Sequence, residues 1–481
     1  MKKLAVSLFI FLYSAVYANS AEPDRIDQQI INSTYNDQFD AAKKLCLDQI
    51  STNQNSPKYY YYLINVKILE YYKKISELDP SKREEGRKNL NEEIINYCEN
   101  VVDKIDESGL SVENKFYYGT IYAYLARVYG VDNSWWSAFK SGKKAKNFMQ
   151  DVIKSDPQFF DAYLVLGMIE YYADRMNGVA GFIAGILGLS GSRETGLYYL
   201  RTAYDKGKLT FGQSSLMMIE IYTSLEGNDF AALPYFEKFL NRFPQNRKTL
   251  NAYCQTLMNL WNFKKAEELI KNDRDNLIDD YAKARFYDMT GNSALAIRYG
   301  EKALLNEKNL YRGGAAASRY IIVLNCWLTG DNDKAKKYEP LLSERYKIEF
   351  YAAQKNEKEK KWLREFSVKI AQNRQMNDIE NYLKTKPDFS RVPNYEDEFN
   401  LLAGAFYFKN NLYNRAAVFF EKSVESKDER DKVSAAGSLV EIYLRENVNK
   451  SKVENLLKII DNIDSSRLSY RSKDLAKKYN L

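Results

Sequence analysis

"AALPYFEKFLNRFPQN", residues 231–246, places a small residue, Ala232, one turn before Phe236 and two turns before Phe239, and runs out at Pro244. The earlier stretch "AKNFMQDVIKSDPQ", residues 145–158, has Ala145, Met149, Val152 and Pro157 at the same offsets. A small residue at that place lets two antiparallel helices touch, the larger residues fill the gap to the next pair, and proline stops the helix. Further small residues head similar segments at Gly196, Ala266, Ala296, Ala335 and Ala416. Ahead of them stand partner segments such as "FFDAYLVLGMIEYY" (159–172), "RKTLNAYCQTLMNLW" (247–261) and "EFNLLAGAFYF" (398–408), in which an aromatic residue or Leu is followed by a small residue one turn later. With nine prolines and long i, i+3, i+4 apolar patterns, the chain reads as helices joined by short turns, and no alternating strand pattern competes.

Ala232 and Ala266 stand 34 residues apart, whereas Ala266 to Ala296 is 30 and Ala296 to Ala335 is 39. On these residues the sequence resembles the tetratricopeptide repeat family, whose period is about 34. The resemblance covers most of residues 145–340, returns over 397–424, and is loose over 31–56. It implies an all-α fold, a TPR-like right-handed superhelical solenoid of antiparallel helix pairs, and a non-catalytic scaffold that binds a protein or peptide partner. In such a solenoid the first helices of successive pairs line a concave groove. Applied residue by residue, Leu164, Met168, Tyr171, Met217, Asn251, Gln255, Tyr281, Arg285, Tyr320, Leu324 and Trp327 are expected to point inward. Mixed aromatic and Met linings with a few amides suit an extended peptide or a partner helix, though each of these residues also reads as plain core. The lysine and asparagine clamp with which some family members hold a C-terminal carboxylate is not visible on these faces.

From Ala145 to Gly196 is 51 residues, so about 17 exceed one period. The first helix of that repeat is expected to end near Asp174 and the second to begin after Ser192, a good N-cap, which places the excess in "MNGVAGFIAGILGLSG", 176–191. From Gly178 to Leu189 it carries no charged or polar side chain. Gly191 and Gly196 have phosphate-loop spacing, but Leu197 and Tyr198 stand where lysine and a hydroxyl residue are needed, and no strand precedes them. The run is also short of the roughly 20 residues that cross a bilayer. Three readings remain: Phe182, Ile183, Ile186 and Leu187 fold over the edge of the array, or form an apolar docking edge for a protein, or dip into a membrane surface. The first is the expectation, because buried apolar runs are usually core and no lysine cluster flanks the stretch.

At the N-terminus, Lys2 and Lys3 precede the apolar run "LAVSLFIFLYSAV" and then Ala18, the pattern of a cleaved export signal, so the mature chain is expected in a bacterial periplasm or envelope. No cysteine of the lipoprotein kind follows the run. The net charge of +7 drops by two with the leader, too little for this length to suggest nucleic acid. The chain has no histidine, which removes Ser-His-Asp and Cys-His catalysis and every histidine-ligated metal site. No cofactor or metal motif is present, and Cys46, Cys98, Cys254 and Cys326 match no metal spacing; Cys46 with Cys98 is the one pair left open as a disulfide. The expected organisation is a leader (1–18), degenerate helical repeats (19–110), the array with its insertion (111–346), a charged helical segment and hinge (347–390), and a C-terminal repeat with capping helices (391–481). A carbohydrate-binding helical-repeat protein of an outer-membrane uptake system is the alternative class, and a membrane-peripheral protein using the insertion is another.

If the insertion packs on the array, deleting residues 177–190 and joining the helices by a short polar turn lowers stability by several kcal/mol, at about 25 cal/mol per Å² of apolar burial lost. Chemical denaturation of both forms checks this, and an unchanged midpoint would overturn it.

Overall fold

The computed structural model describes residues 22–78, 80–175, 191–307, 310, 313–446 and 450–463, together with Ser472, Ala476 and Lys477. Among them there are helices and turns and no strand, so the expected all-α fold of antiparallel helix pairs is what the chain adopts. Residues 1–21, where the leader is expected, and residues 176–190 lie outside the described residues. Contacts divide the chain into two compact units, one of residues 1–31, 40–66 and 91–214, the other of residues 32–39, 67–90 and 215–481.

The first unit contains, in whole or in part, α1 (Arg25–Tyr35), α2 (Phe39–Thr52), α3 (Pro57–Glu77), α4 (Arg83–Lys104), α5 (Val112–Val131), α6 (Trp135–Ser155), α7 (Ala162–Asp174) and α8 (Arg193–Lys206). Ser192 does cap α8, accepting from the Thr195 N–H at 3.2 Å. The crossing of α7 and α8 is so close that only hydrogen fits at two places. A Cβ on Gly196 would lie 2.6 Å from the Tyr171 nitrogen, and one on Gly167 would lie 2.8 Å from the Leu200 nitrogen. Gly191 rests against the Glu170 carbonyl and the Asp174 nitrogen. The insertion therefore leaves and re-enters the repeat at one turn of α7, and the pair closes directly across it. At the other end of α7 the enclosed Asp161 accepts from the Leu209 and Thr210 N–H groups and the Thr210 hydroxyl at 2.8–2.9 Å, and from the Lys208 N–H at 3.1 Å. Burial nevertheless raises its carboxyl above the ordinary aspartate value.

The boundary between the units falls within α9 (Phe211–Glu220), and the second unit goes on with α10 (Asp229–Arg242), α11 (Arg247–Asn259), α12 (Phe263–Asn272), α13 (Asp280–Met289), α14 (Ser293–Leu305), α15 (Gly314–Thr329), α16 (Asn332–Tyr338), α17 (Glu344–Lys355), α18 (Glu357–Ala371), α19 (Met376–Leu383), α20 (Pro393–Lys409), α21 (Tyr413–Ser423), α22 (Glu429–Arg445) and α23 (Lys450–Ile463). One turn joins the two helices of each regular pair. The chain passes through a left-handed residue at Trp261, Gly291, Gly330 and Asn411. The next N–H reaches back five residues, from Asn262 to Leu257, Asn292 to Tyr287, Asp331 to Cys326 and Leu412 to Tyr407, at 2.8–2.9 Å. This is the Schellman closure. In the first three the reaching residue also caps the helix that follows, through its own side chain. Uneven repeat lengths follow, since the turn is constant and only the helices and the links between pairs vary.

The second unit also holds a contact between distant parts of the sequence. The Tyr35 ring packs 6.0 Å from Phe239 and 5.0 Å from Phe243, and the Asn246 amide donates to the Tyr35 carbonyl at 2.8 Å. Beside it Asn36 and Asp37 accept from the Gln245 and Arg247 N–H groups.

One expectation changes. The stretch "KPDFSRVPNYEDE", 386–398, expected from its two prolines as a hinge, is anchored: Phe389 is fully buried and packs on Trp362, Tyr395 and Phe399. The charged segment therefore shares one core with the C-terminal repeat, through Leu363, Phe366, Ile370 and Ile379. The four cysteines are buried free thiols, Cys46 and Cys98 included. Burial pushes the Cys46 and Cys254 thiols up to about 12.

Gly196→Ala is expected to cost about 1–3 kcal/mol, because the added methyl meets backbone that cannot yield. Tyr198→Ala, on the exposed side of the same helix, is expected to stay within about 0.5 kcal/mol. Thermal melts of the two variants give the comparison.

Candidate interaction face

The residues expected to line a groove divide into two sets. Leu164, Tyr171, Met217, Asn251, Tyr281 and Leu324 are buried, while Met168, Gln255, Arg285, Tyr320 and Trp327 are half-buried. Asn251 shows what the buried set does. Its amide donates to the Arg247 and Leu277 carbonyls and its oxygen accepts from the Asp279 N–H at 2.7 Å, tying α11 to the start of α13. Phe182, Ile183, Ile186 and Leu187, the candidate apolar edge, lie outside the described residues.

Within the second unit the chain covers part of its own first helices. Trp327 of α15 meets Phe350 of α17 edge-on, with the Lys361 ammonium 5.5 Å above its ring. Arg364 of α18 pairs with Asp288 at the end of α13 at 2.5 Å and also donates to its carbonyl. Asp288 accepts in addition from the buried Asn325 amide at 2.7 Å, and Asn325 accepts from Ser293 at 2.7 Å, so four helices share one polar node. Trp327 is thus a joint between repeats.

The rest of this side is aromatic and acidic. Tyr320 of α15 stacks on Tyr346 of α17 with centroids 4.6 Å apart, and its hydroxyl donates to Glu349 Oε1 at 2.7 Å. Burial, then the Glu349 charge, raises the Tyr320 phenol. Tyr395 of α20 is buried, and its hydroxyl meets no hydrogen-bond partner. Its phenol is raised by burial and by the nearby carboxylates of Glu398, Glu349 and Glu359. Lys360 stands 5.3 Å over the Tyr395 ring and 3.4 Å from Glu398. On α22, Asp431 is raised by burial and by the negative charges of Asp428, Asp397 and Glu398, while the Arg430 hydrogen bond holds Asp428 down at about 2. The Tyr320 stack and hydrogen bond join α15 to α17, and Lys360 joins α18 to α20.

Of this face the sequence pointed only to Tyr320. Tyr346, Glu349 and Glu359 fall where the period is lost, and Tyr395 and Glu398 lie in "NYEDEF", 394–399, whose acidic run is the one visible signal. A separate cleft of about 360 Å³ in the first unit lies among α6, α7 and α8, with Ile153, Leu166, Tyr163 and Tyr199 as its walls and the Lys146–Glu170 ion pair, 3.0 Å, at its edge. Among the described residues no group of three or more acidic or cysteine side chains is placed to hold a metal ion, and no helix is long and apolar enough to cross a membrane.

The chain is an all-helical repeat array. No family model matches it, and no curated protein is similar to it. Solved structures similar to it include the Cut9–Hcn1 hetero-tetramer of the APC/C, with 11% identity, 96% of this chain and 97% of that chain covered, and a TM-score of 0.22. The TPR domain of P58(IPK) aligns at 13% identity over 82% of this chain and 97% of its own, with a TM-score of 0.20. Yeast Tom70 aligns at 11% identity, 95% and 89% coverage, and a TM-score of 0.24. The fold assignment rests on the array's own crossings and turns.

Asp288→Ala is expected to cost about 2–4 kcal/mol, since it strands the half-buried Arg364 and the buried Asn325 amide. Adding Arg364→Leu should restore part of the loss, which denaturant titration of the single and double variants measures.

Proposed function

We propose that this chain is a non-catalytic protein-binding scaffold of the bacterial periplasm or envelope, and that it holds a partner protein or peptide on the face formed by α15 and α17. The observation that carries the reading is the half-buried Tyr320–Tyr346 stack, with Glu349 hydrogen-bonded to Tyr320, on a repeat array. Repeats of this kind present extended surfaces, and aromatic side chains supply large rigid contact area there. The export half of the reading rests on the basic and apolar N-terminal sequence ahead of Ala18.

Two measurements test it. Sequencing the N-terminus of the mature protein should find Asn19 first. Capture from native envelope extracts should be lost on Tyr346→Ala with Glu349→Ala and kept on Lys336→Ala with Lys337→Ala, each variant first shown to melt as the parent does. Equal capture by both pairs would move the binding surface elsewhere, and saturable sugar binding without protein capture would favour a carbohydrate receptor.

A further inference from the structure

Two adjacent tryptophans open α6, and the fold uses them in opposite ways. Trp135 is half-buried: its ring stacks on Phe139 with centroids 6.3 Å apart and closes over Gly130, 3.9 Å from where a Cβ of that residue would stand. Trp136 is 57% exposed, and Val131, at the end of α5, is 50% exposed. The turn between them passes through the left-handed Asn133, and the Ser134 N–H returns to the Tyr129 carbonyl at 2.9 Å, so both apolar side chains stand at one tip. Along α6 the exposed side continues as Lys140 and Lys143, four and seven residues after Trp136 and therefore on its face. Among the described residues neither lysine has a partner. Their neighbours differ: Lys144 pairs with Glu107 at 2.9 Å and Lys146 with Glu170 at 3.0 Å. The turn itself holds one carboxylate, Asp132. The tip also projects. Lys146 lies eleven residues into α6, whereas its partner Glu170 is four short of the end of the antiparallel α7. At about 1.5 Å per residue the tip stands about 10 Å beyond that end.

We propose that the α5–α6 tip is a contact site for an anionic phospholipid surface. The inference goes beyond the scaffold reading and does not depend on which partner the second unit holds. Trp136 and Val131 enter the zone between headgroups and acyl chains, which favours the amphipathic indole of tryptophan. Lys140 and Lys143 lie about 6 and 10 Å further along the helix axis. Their ammonium groups reach lipid phosphates while the methylene stems stay against the apolar layer. A projecting apolar tip backed by two free cations is thus complementary, in shape and in charge, to a flat anionic layer.

The test follows co-sedimentation of the whole mature protein with vesicles of phosphatidylglycerol and phosphatidylcholine in equal parts. Wild type should sediment with them at low salt, should bind phosphatidylcholine vesicles about tenfold more weakly, and should be released by sodium chloride at about 0.5 M. Trp136→Ala, and Lys140→Glu with Lys143→Glu, should each weaken binding about tenfold or more with no change in melting temperature. Lys336→Glu with Lys337→Glu, exposed lysines of the second unit, should stay within about twofold. Brominated acyl chains in the same vesicles read the contact directly: the quenching of tryptophan fluorescence seen in wild type should fall by about half or more in Trp136→Phe. No sedimentation by wild type, equal binding to neutral vesicles, or full binding by the tip variants overturns the proposal, as does quenching that Trp136→Phe leaves unchanged. A dimer that Trp136→Ala dissolves, without vesicle binding, would make a second copy the occupant and overturns it too.

Discussion

Backbone-to-backbone approach inside each helix pair is the constraint on which the rest of this molecule depends. At the crossing of α7 and α8 there is no room for a methyl group at Gly167 or Gly196. Similar crossings place Ala145, Ala232, Ala266, Ala296 and Ala416 at zero or near-zero exposure. Helices held this close cannot slide without lifting the larger side chains one turn away out of their seats. The pair therefore has a fixed register before it meets a neighbour, and the Schellman turn fixes its closing end. Stacking then needs only that each pair present its large residues to the next.

This explains which parts could be read from the sequence. The small residue followed by large ones at four and seven is a consequence of the crossing, so Ala145, Ala232 and their counterparts were legible, as was the Ser192 cap. The groove was not. First helices lie between their own partner and the neighbouring pairs, so they are apolar on several sides and the contrast that marks an inward face disappears. Tyr171, Tyr281 and Leu324 read as lining for that reason and are buried. The hinge expected over 386–398 failed differently. Its two prolines and many charges suggested a hinge, but Phe389, a single aromatic among polar neighbours, fixes it in the core. Local composition cannot show a contact made by one residue across several helices.

Charge in this protein is distributed by the same logic. Lysines and acids on the outer helices pair within a turn, as Lys361 with Glu357 and Lys271 with Glu267 do at 2.5 and 2.7 Å, and such exposed pairs add little stability. Between repeats the pairs are enclosed and shared. Lys283 and Asp273 are almost fully buried and 2.8 Å apart, and Asp273 also accepts from the Leu277 and Ile278 N–H groups. Asp288 and Arg364 join repeats that are 76 residues apart.

The docking of Tyr35 between Phe239 and Phe243 bears on the order in which the molecule can be assembled. Most helix pairs join residues a few tens of positions apart and can form as soon as both helices exist. Residues 32–39 instead find their seat on a turn 209 positions later, so a chain emerging from its N-terminus keeps Tyr35 uncovered until α10 and α11 have arrived. Closing so long a loop adds an entropic cost that neighbouring pairs do not face, though that cost grows only logarithmically with length. A repeat protein whose folding would otherwise propagate from any point acquires in this way a late step that links its beginning to its middle.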